Sequence, residues 1–306
     1  MSDATGTTLR RYLHCVFVVR AAISVERNRA SGVMMSSLSK QSGDDEQFHS
    51  LKALFDLSGR TALITGGSRG LGLQIAEALG EFGAHVVLTA RKTDELAAAV
   101  EHLGQLGVGA SSVTADIGNA GDIDKVVEAV AAAGREIDIL VNNAGTSWGS
   151  PSEEFPRHAW DKLLAVNLTG PFLLTQAVAR RWMLPRGKGR ILNVASVEGL
   201  GGHHPRMVGT IAYNASKGGM INLTRALAAE WGPRGITVNA LAPGYFASKL
   251  TAYTLDNFGD ELIADTPRGQ LGGPADLKGA ALLCVSDAGA HITGQAIVVD
   301  GGASVI

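Results

Sequence analysis

The chain has 306 residues, 45% of them hydrophobic and 18% charged, which suits one large or two small globular domains. Its formal net charge of −2 offers no general attraction to nucleic acid or to an anionic membrane surface, and no apolar run approaches the roughly 18 to 20 residues that cross a bilayer. Cys15 and Cys284 are too few and too far apart for a disulfide framework or a cysteine metal site, so a reducing compartment fits best.

Residues 1–53 differ from the rest. Five arginines (Arg10, Arg11, Arg20, Arg27 and Arg29) surround a short apolar patch, Leu13 to Val19, and a polar stretch follows from Ser36 to Ser50. One reading is a disordered leader translated from an upstream start, with Met34 or Met35 as the later one. Another is an organellar presequence, rich in Arg and Ser and poor in acids. A secretory signal fits poorly, because Arg20 interrupts the apolar segment. The expected compartment is the cytoplasm, or an organelle if the segment is a presequence.

From Phe55 onward, short β-branched runs alternate with helical patterns. Thr61–Thr65, His85–Thr89, Ser112–Ala115, Ile137–Val141, Arg190–Ala195 and Ile236–Leu241 read as buried strands. Leu71–Phe82, Asp94–Leu106, Ala120–Ala133, Arg157–Trp182 and Ala212–Trp231 read as helices. In the third helix, Ile123, Val126, Val127 and Val130 form one apolar stripe at i, i+3, i+4 and i+7. The run Ala296–Val299 adds an edge strand. Strands alternating with helices predict an α/β fold: a doubly wound, seven-stranded, mostly parallel Rossmann-type sheet with helices on both faces. With no internal repeat, residues 54–306 form one domain of about 250 residues.

The first strand runs into Thr65-Gly66-Gly67-Ser68-Arg69-Gly70-Leu71-Gly72, which opens directly into a helix. A turn between strand and helix aims backbone N–H groups and the helix dipole at one point, which suits a pyrophosphate. Gly66 and Gly70 permit close ligand approach, and Gly72 lets the helix pack on the sheet. The residues expected to line this turn are Gly66, Ser68, Arg69, Gly70, Leu71 and Gly72. An NAD site places an acid near the end of the second strand to accept the ribose 2′-hydroxyl. Here that place reads Thr89-Ala90-Arg91-Lys92. Arg69 and Arg91 are therefore expected to converge on a 2′-phosphate, making NADP(H) the cofactor.

Tyr213 and Lys217 stand at i and i+4 in Tyr213-Asn214-Ala215-Ser216-Lys217, on one face of a helix. A free phenol, with a pKa near 10, is a poor base at neutral pH. An adjacent ammonium favours the phenolate and is expected to lower that value, fitting Tyr213 for proton exchange with an alcohol. Ser196 lies just past the strand Arg190–Ala195, at the carboxyl edge where open parallel sheets bind ligands. Asn142-Asn143-Ala144-Gly145 closes the preceding strand at the same edge, and Asn167 interrupts an apolar helical stripe.

At these residues the chain resembles the short-chain dehydrogenases/reductases of single-domain type, from about Asp56 to Gly302. The glycine turn, Asp116, the N-N-A-G segment, Asn167, Ser196, Tyr213, Lys217, Pro243-Gly244 and Asp300-Gly301-Gly302 carry the likeness. The resemblance implies an enzyme with Tyr213 as general acid/base and Ser196 holding the substrate oxygen. Lys217 would bind the nicotinamide ribose, and Asn167 a water in a proton relay. It further implies that Asp116 and Ile117 contact the adenine, and that Asn143, Ala144, Gly145, Pro243 and Gly244 line the cofactor groove. It implies a homotetramer paired through the two long helices.

Within that likeness the pattern is similar both to 3-oxoacyl reductases and to gluconate 5-dehydrogenases. An apolar lid from Gly244 to Gly269, carrying Tyr245, Phe246, Leu250, Tyr253, Leu255 and Phe258, favours the 3-oxoacyl side. Trp148 is a further candidate wall. Ser196 and Tyr213 are 17 positions apart, wider than is common in the family. The additional residues fall in Gly201-Gly202-His203-His204-Pro205-Arg206-Met207-Val208-Gly209, a flap or a surface bulge. No metal site is expected there, since adjacent loop histidines are usually solvated. A non-catalytic NADP-sensing protein is the competing class; such proteins commonly lose the active-site Tyr or Lys, and this chain keeps both.

Overall fold

The computed structural model describes residues 50–204 and 206–306. The expectations for the amino-terminal segment fall outside the described residues up to residue 49, as does Pro205 of the insertion. The first described helix, α1 (Leu51–Phe55), crosses the boundary expected at residue 54, and the Phe55 ring meets Phe82 edge-on at 6.2 Å.

Seven short runs dominated by β-branched and aliphatic residues form the sheet. They are β1 (Thr61–Thr65), β2 (His85–Ala90), β3 (Ala110–Thr114), β4 (Ile139–Asn142), β5 (Gly189–Val194), β6 (Ile236–Pro243) and β7 (Ala296–Val299). Their order is β3-β2-β1-β4-β5-β6-β7. Every pairing is parallel, so the sheet goes beyond the mostly parallel one expected. Strands β1, β4, β5 and β6 are buried along their whole length, which is why they read as continuous apolar runs.

One face is covered by α2 (Gly70–Glu81), α3 (Thr93–Gln105) and α10 (Lys278–Val285), around Ile75, Leu79, Leu96, Leu103 and Leu282. The other is covered by α4 (Ala120–Ala132), α6 (Gly170–Val178) and α8 (Ile211–Trp231), around Val126, Val130, Leu174, Val178 and Leu227. The chain order reverses between β1 and β4, and at such a switch point the crevice outside the carboxyl ends of the strands binds ligands.

Two segments differ from the sequence reading. The single helix expected over Arg157–Trp182 is a helical run of α5 (Arg157–Leu164), a π turn (Ala165–Thr169), α6, a second π turn (Ala179–Met183) and α7 (Leu184–Arg186). Pro171 and Pro185 each fall just after a π turn. Neither can donate the next helical N–H, and each ring crowds the carbonyl four residues back, so the helix widens there. The span read as a lid contains a 13-residue helix, α9 (Ala252–Ala264), which buries Leu262.

Candidate active site

The glycine turn and the N-N-A-G segment are built into one unit. The Thr65 hydroxyl accepts from the backbone N–H of Asn143 and of Ala144, both at 3.0 Å. The Asn143 amide donates to the carbonyl oxygens of Thr65 and Gly66 at 2.9 and 3.1 Å. Asn143 therefore buttresses the turn with its side chain. Gly72 is required by packing: a Cβ there would lie 2.4 Å from both the Asn143 amide and the Gly66 oxygen.

Gly70 has another reason to be glycine. Its φ is +55°, in the left-handed region, and a Cβ would meet nothing within 4 Å. It opens onto free space at the start of α2, whose N-cap, Arg69, makes no side-chain capping bond. Uncapped N–H groups at a helix start facing an open crevice fit a pyrophosphate. The residues present thus fit a dinucleotide.

Arg69 and Arg91 do not converge here. Arg69 forms a bidentate pair with Glu95 at 2.6 and 2.7 Å. Glu95 also accepts from Lys92 at 3.1 Å and lies 3.8 Å from Lys249. Arg91 stands 4.0 Å from Asp116. Glu95, missed in the sequence, balances the cations at the end of β2. Asp116 folds into a local turn by accepting from Gly118 N–H at 2.9 Å. The Ile117 side chain is 4% exposed and belongs to the core, so only its backbone is available to a ligand.

The catalytic candidates gather at the same edge. Ser196 follows β5 and caps a short 3₁₀ turn, Val197–Gly199, by accepting from Glu198 N–H at 3.2 Å. Tyr213 and Lys217 lie on the first turns of α8, with the Lys217 ammonium 5.5 Å from the Tyr213 ring centre. Lys217 is 4% exposed and donates to the Val194 carbonyl at 2.7 Å. An ammonium has three donors, and a Cβ on Gly145 would lie 3.7 Å from this one. With one donor on Val194, two remain for other acceptors.

Asn167 sits in the first π turn and is wholly buried. Its amide oxygen accepts from Thr146 N–H at 2.9 Å, and its amide nitrogen donates to the Thr146 carbonyl and the Ser216 hydroxyl at 2.9 and 3.1 Å. The side chain ties the loop after β4 to α8. The helical partner of its carbonyl would be residue 171, a proline, so that carbonyl loses its ordinary helical donor.

Burial sets the electrostatics. It pushes the Tyr213 phenol up to about 12, with the Ser196 hydroxyl pulling down and the Glu198 carboxylate pushing further up. Burial also brings Lys217 down to about 8. The lowering expected at Tyr213 is thus reversed, with desolvation of the buried phenolate the largest cause. Phe246, expected in the lid, is 4% exposed in the core and packs on Gly272. Pro243-Gly244 and Asp300-Gly301-Gly302 do meet: a Cβ on Gly244 would lie 2.7 Å from Asp300 Cβ. Sequence reasoning also missed Glu198, which has no motif to mark it.

Residues 60–257 match the family model described as short chain dehydrogenase. Over 257 residues the chain is 42% identical to the gluconate 5-dehydrogenase of Gluconobacter oxydans, spanning 82% of this chain and 97% of that protein. It is 37% identical over 251 residues to a 3-oxoacyl-[acyl-carrier-protein] reductase of Vibrio cholerae, spanning 82% and 100%. A gluconate 5-dehydrogenase from Burkholderia cenocepacia, solved in complex with NADP and tartrate, superposes with a TM-score of 0.78 at 36% identity, over 83% of this chain and 99% of that one. Shared sequence across nearly the full length of these proteins, a common fold and the edge constellation of Ser196, Tyr213 and Lys217 place the chain in the short-chain dehydrogenase family of NAD(P)-dependent oxidoreductases.

Proposed function

We propose that the chain interconverts a ketone and a secondary alcohol with NADP(H). The observation that carries this reading is the shared strand edge, where Ser196, Tyr213 and Lys217 lie across the crevice from an uncapped helix start. NADP(H), when bound, supplies or takes up two electrons and one hydrogen at the reacting carbon. Ser196 donates a hydrogen bond to the substrate oxygen, and Tyr213 passes that oxygen a proton in reduction and takes it back in oxidation. With its phenol near 12, Tyr213 holds its proton at neutral pH, so it stands ready as the acid of the reductive direction. Lys217 holds the ribose, and the Asn167 carbonyl receives a water that returns the proton to solvent. No acid stands in Thr89-Ala90-Arg91-Lys92 at the end of β2, and three cations, Arg69, Arg91 and Lys92, outnumber the neighbouring Glu95 and Asp116, which supports NADP(H) over NAD(H).

Two substrate classes are represented among the relatives, 3-oxoacyl thioesters and gluconate. Exposed Leu250 and Tyr253 support the first, and the polar cluster of Glu198, His203 and Tyr245 just beyond Ser196 supports the second. We read the protein as a cytoplasmic homotetramer paired through the helical run 157–186 and α8. Sedimentation as a monomer at micromolar concentration contradicts that assembly. The activity itself is tested by following NADPH oxidation with a panel of 3-oxoacyl thioesters, 5-keto sugar acids and aryl ketones. Turnover of at least one is expected, with NADH a much poorer donor. No turnover of any ketone overturns the proposal.

A further inference from the structure

Glu198 is a largely buried carboxylate that the proton transfer above leaves unused. It lies two residues beyond Ser196, and its side chain is 14% exposed. One oxygen accepts from His203 Nδ1 at 2.9 Å and from the Asn214 amide at 2.6 Å. The other accepts from the Tyr245 hydroxyl at 3.3 Å. The same Asn214 amide reaches the Glu198 carbonyl at 2.9 Å, and Thr210 fixes Asn214 by donating to its oxygen at 2.9 Å. The insertion, α8 and the loop after β6 thus converge on one carboxylate, next to the residue that follows Tyr213.

This placement opposes the chemistry. In reduction the oxygen held by Ser196 gathers negative charge, and a carboxylate two residues from Ser196 opposes that charge instead of stabilising it. Its charge also pushes up the phenols of Tyr213 and Tyr245. A carboxylate kept in such a place is explained by what it recognises. It accepts hydrogen bonds and donates none. The oxygen bound to Tyr245 has a single long bond and a lone pair to spare.

We propose that Glu198, positioned by His203 and Asn214, is the specificity-determining acceptor of the substrate pocket, and that the substrate carries a hydroxyl on the carbon next to the reacting one. An α-hydroxyketone, or a vicinal diol in the reverse direction, donates to Glu198. A 3-oxoacyl thioester turns its second carbonyl, an acceptor, toward the same region and meets repulsion. The inference rests on the reading of the chain as a ketone/alcohol oxidoreductase and names the substrate class of that site. It also gives the widened Ser196–Tyr213 spacing a purpose, since the inserted residues supply His203.

The test compares kcat/KM for NADPH-dependent reduction of 5-keto-D-gluconate and of an acetoacetyl thioester in the full-length protein, Glu198→Gln and His203→Gln. NADPH binding by fluorescence and far-ultraviolet circular dichroism are measured on each. The native protein is expected to favour the hydroxyketone by about 100-fold or more. Glu198→Gln, whose amide offers a donor, is expected to lower hydroxyketone reduction by about 10- to 100-fold and to narrow the ratio. His203→Gln moves the ratio the same way by less, through KM more than kcat. Preference of the native protein for the thioester overturns the proposal, as does an equal fall for both substrates in Glu198→Gln. Should that variant not fold, the native ratio and His203→Gln decide. Failure of every ketone overturns the oxidoreductase reading instead.

Discussion

In Gly199→Ala the added methyl would lie 2.6 Å from the Lys217 carbonyl carbon and 2.8 Å from both the Gly218 nitrogen and the Lys217 oxygen. Gly199 is not among the glycines in the left-handed region, so contact alone decides the outcome. All three atoms are backbone of a 21-residue helix and cannot yield. Carbon contacts settle near 3.5 Å, so the 3₁₀ turn must retreat by about 1 Å. Gly199 N–H donates to the Ser196 carbonyl at 3.0 Å, so the retreat carries Ser196 and Glu198 with it. A displacement of that size at a reacting group costs about 100-fold in kcat. Overpacking costs about 1–3 kcal/mol, a fall of several degrees in Tm for a domain of this length. NADPH affinity should change by less than about threefold, because the glycine turn is a separate unit held by Thr65 and Asn143. Steady-state kinetics, a thermal melt and a fluorescence titration read the three effects. A folded variant with native kcat refutes the reasoning.

Removing the cations at the end of β2 tests the cofactor assignment. Arg91→Ala and Arg69→Ala should each weaken NADPH binding by about 10- to 100-fold and leave NADH binding unchanged; an equal loss for both cofactors contradicts it. The Asn142 amide donates to Thr175 Oγ1 and Asn193 Oδ1, both at 2.9 Å, in the buried sheet. Asn142→Ala should lower stability by about 1–3 kcal/mol in urea unfolding, and an unchanged midpoint refutes that. The Glu198 hydrogen bond raises His203 above the ordinary histidine value, against opposing desolvation. A group whose folded pKa is raised stabilises fully below its unfolded pKa, about 6.5, and loses that contribution as pH rises through the folded value. The Tm advantage of the native protein over His203→Gln should therefore be largest in mild acid and shrink toward alkaline pH. An advantage that grows with pH contradicts the pair.

What the sequence made legible was whatever local periodicity or a short motif encodes. The strands β1 to β7, the helices beside them and the glycine turn each announce themselves through burial or backbone need. Tyr213 and Lys217 are legible because helical spacing alone puts them on one face. The π turn at Asn167 was hidden, although Pro171 marks it: a proline inside an apolar helical pattern removes the Asn167 carbonyl's donor. Leu255 and Phe258, read as lid residues, stand at helical spacing with the buried Leu262 in α9, a pattern that the short apolar run did not make plain. Phe246 was misread for the opposite reason, since an aromatic beside a loop is equally good core. Glu198, Glu95 and the reversed shift of Tyr213 depend on contacts between distant segments, which no local pattern carries.

The phenol at position 213 is where the account is most exposed. Tyr213→Phe removes one oxygen and leaves the ring that packs in the site, so the fold and the cofactor groove have no reason to change. Single-turnover reduction of the best ketone in the panel, with NADPH bound, should slow by orders of magnitude while NADPH affinity stays within about twofold. Near-native turnover in that variant would contradict the assignment of Tyr213 as the proton donor.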